Sequence, residues 1–162
     1  MVSKPPIVNL DTAPAYWFLN ALHLVLALNE IGEGAYSLIH TTAPPDFETP
    51  YHLHHDEDEA FYILDGELTV ILNGEKSVAG PGSYIFLPRG VPHGFRSSSN
   101  KNSHMLVHAI PGGKVGFVGM MLEMATPIQD RHTLPEPTPP DFKRLAELCE
   151  QNKISILGPL PR

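Results

Sequence analysis

The sequence predicts an all-β chain closed into a barrel or jelly roll, with one short α-helix near its C-terminus. Three observations carry this. Short apolar segments alternate with turns over most of the 162 residues, 17 prolines and 13 glycines are scattered between those segments, and a stretch near the end has helical periodicity. The segments suggest about ten strands, and an antiparallel set of that size removes its exposed edges by closing. The length suits a single domain, residues 1–162, able to bury a core without disulfides.

Residues 1–15 hold Pro5, Pro6 and Pro14 without periodicity and read as an extended arm, laid on the barrel or on a second subunit. The barrel is expected over 20–125. In residues 21–28 four leucines alternate with Ala21, His23, Val25 and Ala27, which suits a strand covered on both faces, although a helix also fits. The glycine-bearing segment 31–34 and the apolar run 35–42 favour a hairpin. Further strands are expected at 51–54, 60–64, 68–72, 84–87, 93–97, 104–109 and 116–122, with Asn73-Gly74 as a hairpin turn between two of them. Residues 133–162 form a proline-rich linker, a helix over about 141–152 and a tail. In the helix Phe142, Leu145, Ala146 and Cys149 share one face, Thr138 is a candidate cap, and Asp141 suits the first turn. This helix reads as packing rather than chemistry.

The formal charge is −7 and no basic run exceeds Lys143-Arg144, which argues against nucleic acid or an anionic membrane as partner. The sole cysteine, Cys149, allows no internal disulfide and fits a cytoplasmic setting. The apolar run at 22–28 contains His23 and lacks a basic flank, so it resembles neither a signal peptide nor a membrane span.

Chemistry concentrates in two places. In the segment 51–59, His52 and His54 are two apart and share one face of a strand, the polar residues 55–58 read as a connection, and Glu59 opens the next strand. Later, a strand, a Pro88–Gly90 turn and His93 at the head of another strand bring in a third imidazole. Three imidazoles and a carboxylate suit one divalent transition metal ion, Fe, Ni, Mn, Co, Cu or Zn, whereas calcium and magnesium prefer oxygen shells. Such a set leaves a position open for water or substrate.

These residues resemble the two motifs of the cupin superfamily. His52-x-His54-x4-Glu59-x6-Gly66 matches the first and Gly82-x5-Pro88-x-Gly90-x2-His93 the second. Asp46 stands where the first motif begins with glycine, and Ser97 where the second ends with asparagine; neither is a ligand. Tyr16-Trp17-Phe18-Leu19, the run 58–64, Pro111-Gly112-Gly113 and the C-terminal Ile156-Leu157-Gly158-Pro159 are similar to single-domain cupins of the quercetin 2,3-dioxygenase-like type. The resemblance implies a double-stranded β-helix, or jelly-roll barrel, often dimeric, with metal held by His52, His54, Glu59 and His93.

The leading expectation is a metal-dependent dioxygenase acting with O₂ on a flavonol-like or other enolic or phenolic small molecule. Glu59 would then be ligand and general base, as the resemblance to flavonol-cleaving relatives implies. Phe61 and Phe95 share strand parity with Glu59 and His93 and are candidates for a substrate pocket, or for ordinary core. A non-redox metal-assisted isomerase, lyase or hydrolase, and a non-catalytic small-molecule-binding cupin, stay open as alternatives. A homodimer is expected from the apolar first strand and the arm. His55 has opposite parity to His54 and is expected off the metal; His104 and His108 share one face of a late strand; His23, His40 and His132 show no evident partner; Arg89 and Arg96 flank the second motif, solvated or paired with a substrate carboxylate.

Overall fold

The computed structural model describes residues 7–28 and 36–162. Pro5 and Pro6 of the arm and the glycine-bearing segment 31–34 lie outside the described residues. Two antiparallel sheets stack face to face. In chain order the strands are β1 (Ala15–Phe18), β2 (Ala21–Leu28), β3 (Ser37–Ala43), β4 (Tyr51–His54), β5 (Asp58–Asp65), β6 (Leu68–Leu72), β7 (Glu75–Ala79), β8 (Tyr84–Leu87), β9 (His93–Ser97), β10 (Ser103–Ile110), β11 (Thr126–Ile128) and β12 (Ile154–Gly158). The helices are α1 (Gly116–Met124) and α2 (Phe142–Gln151). The first sheet runs β11-β1-β2-β3-β10-β5-β8 and the second β12-β4-β9-β6-β7. This is the jelly-roll architecture the strand pattern implied.

Alternation along the strands decides what lies between the sheets. On β10, Met105, Val107 and Ala109 are buried while His104, Leu106 and His108 face outward. Met105 packs with Ile39, Phe61, Ile63 and Leu68 in the central core. A smaller cluster of Ala13, Ala15, Leu22 and Leu24 lies apart from this core, with Trp17, Ile128 and Leu134 packed against it.

Three expectations change. Residues 116–122 are not a strand: Gly116–Met124 is helical, with Val118, Met120 and Met121 buried. A short helix that is apolar nearly all round carries no polar stripe to distinguish it from a buried strand. The α2 helix is capped by Asp141, whose side chain accepts the Arg144 amide at 3.0 Å, and not by Thr138, whose amide donates to Asn20 Oδ1. Asn73-Gly74 joins β6 to β7, a strand absent from the expected set, rather than to 84–87; both turn residues have positive φ, 50° and 82°. The tail also contributes β12, which pairs with β4.

Candidate metal centre

The two sheets each supply part of one constellation. His52 and His54 project from the same face of β4, and His93, first residue of β9, pairs across from His52. Glu59 reaches in from β5 of the opposite sheet. One donor atom from each of the four lies within 4.8 Å of the others, which groups them as possible metal ligands. Ring centroids of His52 and His93 are 4.6 Å apart, and those of His52 and His54 5.1 Å.

Each imidazole is fixed from behind. His52 Nδ1 lies 2.8 Å from the Pro50 carbonyl and His93 Nδ1 2.9 Å from the Val91 carbonyl. A carbonyl only accepts, so both rings carry a proton on Nδ1 and present Nε2. His54 Nδ1 meets the Glu57 carboxylate at 2.7 Å. The Nε2 atoms of His93 and His54 then stand 3.3 and 3.5 Å from Glu59 Oε2. Lone pairs of imidazole facing a carboxylate repel unless a proton or a metal cation lies between them. The donor set therefore fits a divalent transition metal: neutral imidazoles, one ionised carboxylate, and outer hydrogen bonds that set the ring orientation.

Without an ion between them, the carboxylates and imidazoles shift one another in both directions. Burial, then the neighbouring imidazoles, hold His52 down at about 4, so it is neutral at pH 7. Burial alone would raise Glu59, but His54, His93 and His52 outweigh it and hold the carboxyl at about 2. Burial works to lower His54 as well, but Glu59 and Glu57 outweigh it and shift it upward. Glu57 is shifted upward by burial, against the opposing hydrogen bond from His54.

The site opens on a cavity of about 80 Å³ with largely apolar walls. Phe61 and Phe95 line it, their rings edge to face at 5.0 Å. His23 and Thr41 supply polar groups from the first sheet. His23 Nε2 lies 3.3 Å from the Phe18 carbonyl, so Nε2 donates and Nδ1 accepts the Thr41 hydroxyl at 3.1 Å. Burial keeps this imidazole at about 4, against a smaller opposing effect of that carbonyl. Phe117 and Met120 of α1 and Leu145 and Cys149 of α2 complete the wall, so the C-terminal helix lines the cavity as well as packing.

Sequence reasoning missed Glu57, His23 and both helical walls. Glu57 is buried, and its Oε2 also accepts the Phe117 amide at 2.8 Å. Other candidates lie elsewhere. His55 is exposed and bonded to Ser155 Oγ at 2.8 Å. His104 and His108 face away from the core; the rings of His40 and His104 are tilted at 40° with centroids 5.7 Å apart, and His40 Nδ1 is without a hydrogen-bond partner among the described residues. His132 is exposed. Arg89 is engaged by Asp58 through two side-chain bonds of 3.1 and 2.8 Å, and Arg96 reaches the Pro161 carbonyl at 3.4 Å.

Comparison with known proteins agrees with the fold. The Cupin domain family matches residues 39–109, which hold all four grouped residues. Quercetin 2,3-dioxygenase of Bacillus subtilis is 24% identical over 139 residues, 85% of this chain and 40% of that enzyme. An uncharacterized protein of Methanocaldococcus jannaschii is 29% identical over 75 residues, 46% of this chain and 60% of its own. The chain thus spans less than two thirds of either curated relative. Among solved structures, a predicted oxalate decarboxylase of Thermotoga maritima superposes with a TM-score of 0.61 at 21% identity, covering 65% of this chain and 99% of that one. The polyketide cyclase RemF of Streptomyces resistomycificus gives 0.57 at 23% identity over 85% and 89%. No helix among the described residues is long and apolar enough to cross a membrane.

Proposed function

Because this chain is a member of the cupin superfamily, matched by the Cupin domain family over residues 39–109, we propose that it is a metal-dependent dioxygenase acting with O₂ on an enolic or phenolic small molecule, flavonol-like compounds included. The observation that carries this reading is the disposition of the imidazoles. All three are bonded at Nδ1, which leaves each Nε2 free, those of His54 and His93 facing Glu59, with the group of four beside an apolar cavity. Bound by His52, His54, Glu59 and His93, a divalent transition metal supplies Lewis-acid contact to a substrate oxygen and, where redox-active, a route for O₂.

The chain's own residues do the rest. Glu59 is ionised at neutral pH and lines the cavity, so its carboxylate is the acceptor for the substrate hydroxyl proton. Phe61 and Phe95 flank the oxygen-bearing end of a substrate and keep water from it. The 24% identity with the Bacillus dioxygenase supports oxygen chemistry over a non-redox lyase or isomerase, which the same ligands would also serve. The exposed Tyr62, Leu64, Tyr84 and Phe86 of β5 and β8 support a homodimer, and the single cysteine a cytoplasmic setting.

Elemental analysis of the purified protein, paired with oxygen-electrode traces of metal-reconstituted forms over flavonols, catechols and other enols, tests the reading. Stoichiometric metal with substrate-dependent oxygen uptake is expected. Turnover without oxygen uptake would assign the site to non-redox chemistry, and failure to take up any metal would overturn the metal assignment.

A further inference from the structure

The metal cavity is too small for the compounds its chemistry suits. At about 80 Å³ it is about half the roughly 150 Å³ of an engineered apolar cavity that accommodates one benzene ring. A second cavity of about 630 Å³ lies against it. Leu19, Phe47, Thr49, Pro50, Leu145 and Ile156 belong to both walls. The larger cavity is a groove bounded on one side by the chain at 44–50 and on the other by Pro137, Pro140 and Phe142, with the C-terminal residues 158–160 along it.

We infer that this groove is the outer half of one binding site and holds the neutral, apolar body of an elongated substrate whose oxygen-bearing end enters the metal cavity. The inference rests on the enol or phenol reading above and deepens it. Three observations carry it. Six side chains line both spaces, so the two lie side by side and a ligand bound in one meets side chains of the other. Phe142 stands on the groove with 65% of its surface exposed, although it lies on a helix whose Leu145, Leu148 and Cys149 are buried. The charged side chains on the groove wall are Asp46 and Glu48, both acidic, with Glu48 paired to Arg162 at 3.1 Å. An anionic tail would meet no cation on that wall, whereas an alkyl or aromatic tail would cover Phe142 and the prolines.

The test is a series of 4-alkylcatechols titrated into cobalt-loaded protein, with affinity read by calorimetry and contact with the metal read from the cobalt absorption spectrum. Affinity is expected to rise by roughly twofold to fourfold for each added methylene until the groove is filled. It should fall at least about tenfold when the tail ends in a carboxylate. Phe142→Asp should remove most of the chain-length dependence while leaving catechol affinity and cobalt content unchanged, and Phe142→Leu should restore it. Affinity independent of tail length, or dependence undiminished in Phe142→Asp, would overturn the groove assignment. Tail dependence without any change in the cobalt spectrum would keep the groove and remove the metal–oxygen contact. Absence of binding by every catechol would overturn both.

Discussion

The Nδ1 atom of His54 and the Glu57 carboxylate meet at 2.7 Å, and the same carboxylate oxygen accepts the amide of Phe117 at 2.8 Å. One buried side chain thus orients a ring of the candidate metal centre and anchors the first turn of α1, which carries Phe117 and Met120 into the cavity wall. Close approach is built into the partner: Gly116 has φ of +59°, and a Cβ there would fall 2.5 Å from Glu57 Oε1. Glu57→Ala is expected to weaken metal binding by roughly 10- to 100-fold, with Glu57→Gln intermediate because it keeps one acceptor. Calorimetric titration with Zn or Co checks this, and unchanged affinity in both variants would show that the hydrogen bond does not support the ligand.

Alanine at His52, His54 or His93 is expected to abolish stoichiometric metal, because each removes one of four donors. His55→Ala should retain it, since that ring is exposed and engaged by Ser155. Metal content by elemental analysis decides, and equal loss in His55→Ala would refute the ligand set.

Glu59→Gln separates two roles. A carboxylate that takes the substrate proton should be irreplaceable by an amide, so turnover should fall by about 10²-fold or more while part of the metal is kept. Parallel loss of metal and rate, measured on the same preparation, would mark Glu59 as a ligand alone.

His23 should tie stability to pH in chelator-treated protein. Unfolded, the imidazole binds its proton near pH 6.5; folded, it does so only at about 4. The unfolded chain therefore holds more protons between those values, so stability rises with pH across that window. The contribution is full above 6.5 and lost as pH falls toward 4, an amount of about 3 kcal/mol. Denaturant midpoints of the wild type and His23→Gln from pH 4 to 7 check the sign: the variant should show the shallower dependence.

Much of the centre was legible because strand parity is local. His52 and His54 need only an extended backbone to share a face, and Pro88 and Gly90 mark the turn before His93. Glu57 was not legible, since four consecutive acidic residues, 56–59, offer nothing local to say which is drawn inward. Its burial follows from α1, itself misread as a strand because its apolar residues lack a polar stripe. His23 was hidden in a leucine run, and its partners become visible only when β2 is paired with β3, which sets His23 opposite Thr41. The strand β12 is five residues in a tail, and only its pairing with β4 gives it a structural role.

That last pairing ties the strand of two candidate ligands to a segment about 100 residues away. Ile154 and Ile156 sit opposite His54 and His52, and His55 is bonded to a serine 100 residues downstream. A growing chain that has already produced every donor residue still leaves one side of β4 without its neighbour until residues 154–158 emerge. An ion held by these four residues would therefore rest on a strand whose outer edge is completed by the far end of the fold.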